Sequence, residues 1–129
     1  METDAPRSQS NYERLNAVQH YIREHIDEPL TRRVLAAVAG FSVPHFHRIF
    51  TTYLGENIAD YVRRVRLERA GRKLRLGAVD ITEVALAAGY ETHAAFSKAF
   101  KQQFGLSPSE FRQLGCNAAT QFLMKGRTR

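Results

Sequence analysis

Two basic side chains, Arg48 and Lys98, lie fifty residues apart at the same place in two stretches of nearly the same sequence. Each has a phenylalanine two residues before it and another two residues after it. An arginine guanidinium can donate two parallel hydrogen bonds to the O6 and N7 atoms of guanine, whereas a lysine ammonium is a compact point charge. The two positions therefore offer related but unequal chemistry toward a base edge or a phosphate.

The likeness between the two stretches extends well beyond these basic residues. Residues 40–55 read GFSVPHFHRIFTTYLG and residues 89–105 read GYETHAAFSKAFKQQFG, with one additional residue in the second copy between the first aromatic residue and the next phenylalanine. Two copies are too few, and their period is too long, for a solenoid, which needs about three repeats or more. The repeat indicates two equivalent structural units instead.

The elements that must position these residues are predicted to be helices throughout. Apolar residues recur at steps of three and four along most of the chain, and no stretch alternates as a β-strand would. Thr31, Ser42 and Thr92 have side chains favoured at helix N-caps, and Gly40 and Gly89 suit the helix ends before the two turns. The sequence therefore predicts an all-α fold of two helix-turn-helix lobes joined by a long linker helix, with about seven helices.

The balance of charge points to an anionic partner. Lysine and arginine total 19 against 13 acidic residues, a formal net charge of +6, which favours nucleic acid first and an acidic membrane second. The predicted linker helix, residues 57–76, is the most basic stretch. At ~1.5 Å per residue, a helix of about eighteen residues in this stretch reaches about 27 Å, of the same order as the ~34 Å between successive major grooves on one face of B-DNA.

Candidate phosphate contacts come from two kinds of residue. Two are N-cap residues, because backbone N–H groups and the helix dipole favour anions at a helix N-terminus; the others are hydroxyl or basic side chains nearby. The candidates are Ser42, Thr51, Arg63, Arg64, Thr92 and Lys101. A basic run is also typical of a solvated helix face with ion pairs, here to Glu68, so most of the linker helix is expected to stay off DNA.

Several other classes of protein are disfavoured. The sequence contains no glycine-rich phosphate loop, HExxH or GxSxG motif. Cys116 has no evident base near it, and His45 and His47 do not share a helix face as metal ligands would. No apolar run approaches about eighteen residues, and a lone cysteine without a leader segment fits a reducing cytosol. We expect no catalysis, no metal, no cofactor and no membrane partner.

Three segments, LAAVAGFSVPHFHRIF, GENIADYVRRVRLERA and DITEVALAAGYETHAAFSKAFKQQFGLSPSEFR, resemble the DNA-binding domain of AraC/XylS-family transcription regulators. Within that family the chain is similar to the MarA/SoxS/Rob group. The chain begins with polar residues that show no helical period, METDAPRSQS, which predicts a flexible tail over residues 1–11. The resemblance implies an AraC-type domain over residues 12–114. It places the first helix-turn-helix near 31–52, the linker helix near 57–76 and the second helix-turn-helix near 81–104, followed by a tail or the start of a linker over 115–129.

The resemblance also implies a mechanism. A bacterial, cytoplasmic regulator at the nucleoid would insert two recognition helices into successive major grooves of double-stranded promoter DNA, as a monomer that contacts RNA polymerase. The implied base contacts are Pro44, His47, Arg48, His93, Ala94, Ser97 and Lys98. Many family members have arginine where this chain has Lys98. The second helix is therefore expected to contribute more to positioning the protein on DNA than to discriminating between bases.

Two alternatives remain open from the sequence. One is a basic helical adaptor for an acidic partner, and the other is a fragment of a longer Rob-like regulator whose effector-binding domain is missing. Double-stranded RNA suits two rigid helix-turn-helix units less well, because its major groove is too narrow for side chains to read. The small stand-alone members of the group are activators, but the residues alone do not separate activation from repression.

Overall fold

The structure is a computed structural model that describes residues 7–76 and 80–114, with side chains described from residue 11 onward. Its helices are α1 (Arg7–Glu24), α2 (Arg32–Ala39), α3 (Val43–Leu54), α4 (Ile58–Arg75), α5 (Ile81–Ala87), α6 (His93–Phe104) and α7 (Pro108–Arg112). These described residues contain no strand, so the prediction of an all-α fold with about seven helices is confirmed. The tail expected over 115–129, with Cys116, lies outside the described residues.

The first helix begins earlier than the sequence predicts. The expected flexible tail runs to residue 11, but α1 already begins at Arg7, so residues 7–11 are helical and only residues 1–6 of that tail lie outside the described part. The segment RSQS at residues 7–10 has no apolar residue. Helical periodicity is read from apolar residues, and a polar turn that extends a helix beyond its apolar stripe gives no such signal.

The contacts divide the chain into two compact units, unit 1 (Met1–Val62) and unit 2 (Arg63–Arg129). The boundary lies inside α4, whose first residues belong with unit 1. In unit 1 the core forms from α1, α2, α3 and the start of α4. Its buried apolar side chains are Leu15, Val18, Ile22, Ile26, Leu35, Ala36, Ala39, Phe46, Phe50, Ile58, Tyr61 and Val62.

Unit 2 has a core of its own, built from α4, α5, α6 and α7. Its buried members are Leu67, Ala70, Leu74, Ile81, Val84, Ala85, Ala88, Phe96, Phe100, Phe104 and Phe111. Burying a phenylalanine side chain contributes about 1.5–3 kcal/mol, so the phenylalanines of α6 are the main anchors of that helix. Because they lie on one side of α6, the other side is left exposed.

The aromatic contacts repeat between the units. In unit 1 the rings of Phe46 and Phe50 are 5.6 Å apart, and Phe50 meets Tyr61 edge-on at 5.4 Å. In unit 2 the rings of Phe96 and Phe100 are 5.7 Å apart, and Phe100 meets Phe111 edge-on at 5.3 Å. The internal repeat in the sequence is therefore a repeat of packing geometry.

The two turns between paired helices also share their hydrogen bonds. The N–H of Phe41 donates to the Ala36 carbonyl and the N–H of Tyr90 donates to the Ala85 carbonyl, each over 3.0 Å. Both turns pass through a glycine with positive φ, +77° at Gly40 and +95° at Gly89, a conformation that costs other L-residues about 1–2 kcal/mol. Each helix-turn-helix thus has the same glycine-dependent reversal between its two helices.

Candidate nucleic-acid interface

The exposed face of α3 lies opposite the phenylalanines that anchor it. Phe46 and Phe50 are fully buried, while Pro44, Arg48 and Thr51 are exposed and His47 is partly buried. Positions 44, 47, 48 and 51 follow the three- and four-residue steps of one helix face. The structure therefore brings the predicted base contacts of α3 onto one face, together with the predicted phosphate contact at position 51.

The second helix of the helix-turn-helix in unit 2, α6, repeats this arrangement. Ala94, Lys98 and Lys101 are exposed and Ser97 is partly buried, at the same steps along α6 as the residues of α3. His93 is exposed at the first position of the helix. The exposed face of α6 carries two ammonium groups where α3 carries a guanidinium and a hydroxyl, so the two faces have the same placement but different chemistry.

The N-cap residues at the start of both helices are confirmed. Ser42 accepts a hydrogen bond from the backbone N–H of His45 over 3.4 Å, and Thr92 accepts one from the N–H of Ala95 over 3.0 Å. Both cap residues are exposed. A hydroxyl that accepts a capping bond keeps its own hydrogen for donation, so capping leaves each side chain able to donate to a phosphate.

The two arginines predicted as phosphate contacts at the start of unit 2 differ in burial. Arg63 is exposed. Arg64 is 8% exposed, and its Nη1 atom lies 2.9 Å from Oε2 of Glu68, which is completely buried. This packing removes Arg64 from the exposed basic surface and gives it a partner inside unit 2. The i, i+4 spacing of Arg64 and Glu68 was the one signal in the sequence for this pair.

Tyr90, in the turn between α5 and α6, lies within the electrostatic reach of two arginines of α4. Partial burial raises the pKa of the Tyr90 phenol, and the positive charges of Arg63 and Arg66 partly oppose that rise. The ring of Tyr90 also packs against Phe96 in α6, with centroids 5.8 Å apart. The phenol therefore stays protonated at neutral pH, as a neutral hydroxyl beside a positive field at the turn that precedes α6.

The first helix of the chain also supports the turn of unit 1, which the sequence did not reveal. The Nη1 atom of Arg14 donates to the Gly40 carbonyl over 3.3 Å, and its guanidinium carbon lies 5.0 Å from the ring centroid of Phe41. The ring of His45 packs on Phe41 from α3, with centroids 4.8 Å apart. Arg14 and His45 therefore both brace the aromatic residue that precedes α3.

Other kinds of site are not found in the part of the chain that the structure describes. Within residues 7–76 and 80–114, no three His, Cys, Asp or Glu side chains come together as a metal site would require. Among the helices described, none is both long and apolar enough to cross a membrane. The candidate interface is therefore considered as two separate faces, the exposed face of α3 in unit 1 and the exposed face of α6 in unit 2.

Comparison with known proteins identifies this arrangement. Residues 35–114 match the family model described as a helix-turn-helix domain. The regulatory protein SoxS of Escherichia coli (strain K12) is 37% identical over 92 residues, which are 71% of this chain and 86% of SoxS. The chain spans about a third of two longer relatives, each 36% identical: 34% of the HTH-type transcriptional regulator GlxA of Rhizobium meliloti (strain 1021) and 32% of the right origin-binding protein of Escherichia coli (strain K12).

Solved structures agree with these relatives. A transcriptional regulator from Chromobacterium violaceum, described as containing an AraC-type DNA-binding domain, superposes with a TM-score of 0.75 at 28% identity over 81% of this chain and 93% of its own. The DNA-binding domain of AdpA, solved in complex with a target DNA, has a TM-score of 0.67 at 30% identity over 76% of this chain and 88% of its own. The architecture and the relatives together define a DNA-binding transcription regulator of helix-turn-helix type.

The chain belongs to the AraC/XylS family, in the MarA/SoxS/Rob group that its sequence resembles. The relatives named above are regulators or DNA-binding proteins, and none is named as an enzyme. The identification agrees with the exposed polar faces of α3 and α6, because a recognition helix must be anchored on one side and present polar groups on the other.

Proposed function

We propose that this chain regulates transcription by binding double-stranded promoter DNA, with α3 and α6 each lying in a major groove. One observation carries the proposal: two equivalent helices, each anchored by buried phenylalanines, expose the same steps of their opposite faces. A helix fits the major groove of B-DNA, where each base pair presents its own pattern of donors and acceptors. The repeated face therefore has the shape and the chemistry of two reading helices.

In this proposal the two helices contribute unequally to base discrimination. In α3, Arg48 donates bidentately to guanine, with His47 and Pro44 beside it; in α6, Lys98 supplies charge without the planar fork. Its neighbours His93, Ala94 and Ser97 make smaller contacts. We expect base discrimination to come mostly from unit 1, and unit 2 to contribute register and affinity.

Phosphate contacts hold the helices in register. Ser42 and Thr92 meet phosphates at the helix N-termini, where backbone N–H groups favour anions. The DNA backbone beside these phosphates is contacted by Thr51, Lys101 and the exposed Arg63. Arg64 is left out of this set because its charge is paired with Glu68 inside unit 2.

By family analogy, the bound protein acts on transcription through contact with RNA polymerase. Both reading helices belong to one chain, so a monomer suffices for an asymmetric site of about two helical turns. The domain that carries this function spans residues 12–114, and the protein works in the bacterial cytoplasm at the nucleoid. A fragment of a longer Rob-like regulator would bind DNA in the same way and would differ in what controls it.

Binding measurements at several salt concentrations test the proposal. A duplex enriched from a random library is titrated beside the unselected library, with fluorescence anisotropy as the readout. We expect one complex on one duplex, an affinity about a thousandfold or more above that for random DNA, and a steep loss of affinity with salt. Equal affinities for both duplexes would favour the basic-adaptor alternative.

A further inference from the structure

Two histidines of unit 1 have opposite surroundings at the same ring atom. The Nδ1 atom of His25 lies 2.9 Å from the Tyr21 carbonyl oxygen. A carbonyl oxygen can only accept, so Nδ1 of His25 carries the hydrogen. The Nδ1 atom of His47 is shielded from solvent and has no hydrogen-bond partner.

This shielding decides where the neutral imidazole of His47 holds its hydrogen. A hydrogen on Nδ1 would be a buried N–H without an acceptor, which native structures almost never contain, whereas an acceptor without a donor is better tolerated. The hydrogen therefore belongs on Nε2. His47 as a whole is only partly buried while its Nδ1 is shielded, so Nε2 is the ring nitrogen left to meet a partner.

We propose that His47 is held in the Nε2–H tautomer and acts on DNA as a hydrogen-bond donor, never as an acceptor. The donor role rests on the proposed function, in which α3 lies in a major groove; the tautomer itself does not. Arg48 has donors only, and Pro44 offers neither a donor nor an acceptor. The base-contact residues of α3 thus form a surface without any side-chain acceptor.

Such a surface limits which base edges α3 can read. Guanine N7 and O6, adenine N7 and thymine O4 accept hydrogen bonds in the major groove, while adenine N6 and cytosine N4 donate them. We therefore expect the α3 half of the site to be read through acceptors alone. The same limit does not hold for α6, because the Ser97 hydroxyl can donate as well as accept.

The tautomer is measured on the free protein by 15N NMR of the histidine rings. Spectra are recorded at about pH 8.5, two units above the ordinary pKa of histidine side chains, and assigned with His47→Gln and His25→Gln. We expect His47 to show an unprotonated Nδ1 and a protonated Nε2, and His25 to show a protonated Nδ1. A protonated Nδ1 in His47 would overturn the proposal whatever the protein does to DNA.

The donor role is measured on the unaltered chain with base analogues in an enriched duplex. At the base that His47 contacts, a 7-deazapurine that lacks the N7 acceptor, or an analogue of thymine that lacks O4, removes the acceptor of a single hydrogen bond and should weaken binding by about 2- to 13-fold. A purine without the N6 amino group should bind as well as adenine. Loss of affinity on removal of the N6 or N4 amino group would contradict the donor role.

His47→Gln provides the complementary variant, because a glutamine amide can donate and accept together and pairs bidentately with adenine N6 and N7. Selection with this variant should shift one base position toward adenine and leave the position read by Arg48 unchanged. An unchanged motif would contradict the placement of His47 at a base. If no motif were enriched even with the unaltered chain, the proposed function and the donor role would both fail, while the NMR result would still decide the tautomer.

Discussion

Replacing Glu68 with alanine should strongly destabilise unit 2. The carboxylate of Glu68 lies 2.9 Å from the guanidinium of Arg64, and the two side chains are 1% and 9% exposed. Glu68→Ala would leave a buried positive charge without this carboxylate, and removing one partner of a buried ion pair costs about 3–5 kcal/mol. Since domains are stable by only about 5–15 kcal/mol, this loss is a large share of the total.

Urea unfolding followed by far-UV circular dichroism measures the loss. With an m-value of about 1.5 kcal/mol per molar urea, a destabilisation of about 3 kcal/mol lowers the midpoint by about 2 M. The matched control is Glu91→Ala, at an exposed turn position of the same unit, which should change stability by less than about 0.5 kcal/mol. Similar small shifts for both variants would refute the argument from buried charge.

A double variant separates the electrostatic effect of losing the Glu68 carboxylate from the effect of lost packing. Arg64→Met combined with Glu68→Leu replaces both charges by apolar side chains, a change that is often neutral or stabilising for buried pairs. We therefore expect the double variant to recover most of the stability that Glu68→Ala loses. A double variant as unstable as the single one would show that the cost does not come from burying the Arg64 guanidinium without the Glu68 carboxylate.

Three further predictions concern the exposed residues Arg48, Lys101 and Glu110. Arg48→Ala should weaken binding to the specific site by about 1–3 kcal/mol and relax one base position, and Arg48→Lys should restore charge but not discrimination; equal losses on specific and random DNA would make Arg48 a phosphate contact. Lys101→Ala should weaken binding to all sequences alike and reduce the salt slope by about one, and an unchanged slope would remove Lys101 from the interface. Hydrogen bonds from the backbone N–H and the hydroxyl of Ser107 lower the pKa of the Glu110 carboxyl. The stabilisation from these bonds is therefore fully present above the ordinary carboxyl pKa and is lost as the pH falls through the lowered pKa. Ser107→Ala should therefore raise that pKa toward its ordinary value in an NMR titration, and no change would assign the shift to the backbone N–H of Ser107 and the charge of Lys101.

The helices and their turns were predictable because their signals are local. N-caps at Ser42 and Thr92 precede apolar residues at helical steps, and both hydroxyls accept the expected capping bonds. The phenylalanines of α3 and α6 recur at four-residue steps, a spacing typical of the buried face of a helix, and all of them are buried. The exposed faces of both helices follow from those anchors, since residues opposite a buried stripe must face outward.

What the sequence did not reveal depends on contacts between distant or equivalent residues. The burial of Arg64 could not be separated from the exposure of Arg63, because both are basic residues on one helix and only packing distinguishes them. Arg14 reaches the turn at Gly40 across 26 residues of sequence, and no local pattern signals that bond. The unpartnered Nδ1 of His47 likewise depends on what surrounds one ring atom.

Selection of bound duplexes from a random library at about 150 mM salt tests the central claim most directly, when it is done in parallel with the unaltered chain, Arg48→Ala and Lys98→Ala. The account predicts one asymmetric motif with two short boxes about one helical turn apart. Arg48→Ala should relax the base preference in one box, and Lys98→Ala should weaken the base preference in the other. A single box for the unaltered chain, or both variants acting on the same box, would contradict two reading helices on one chain.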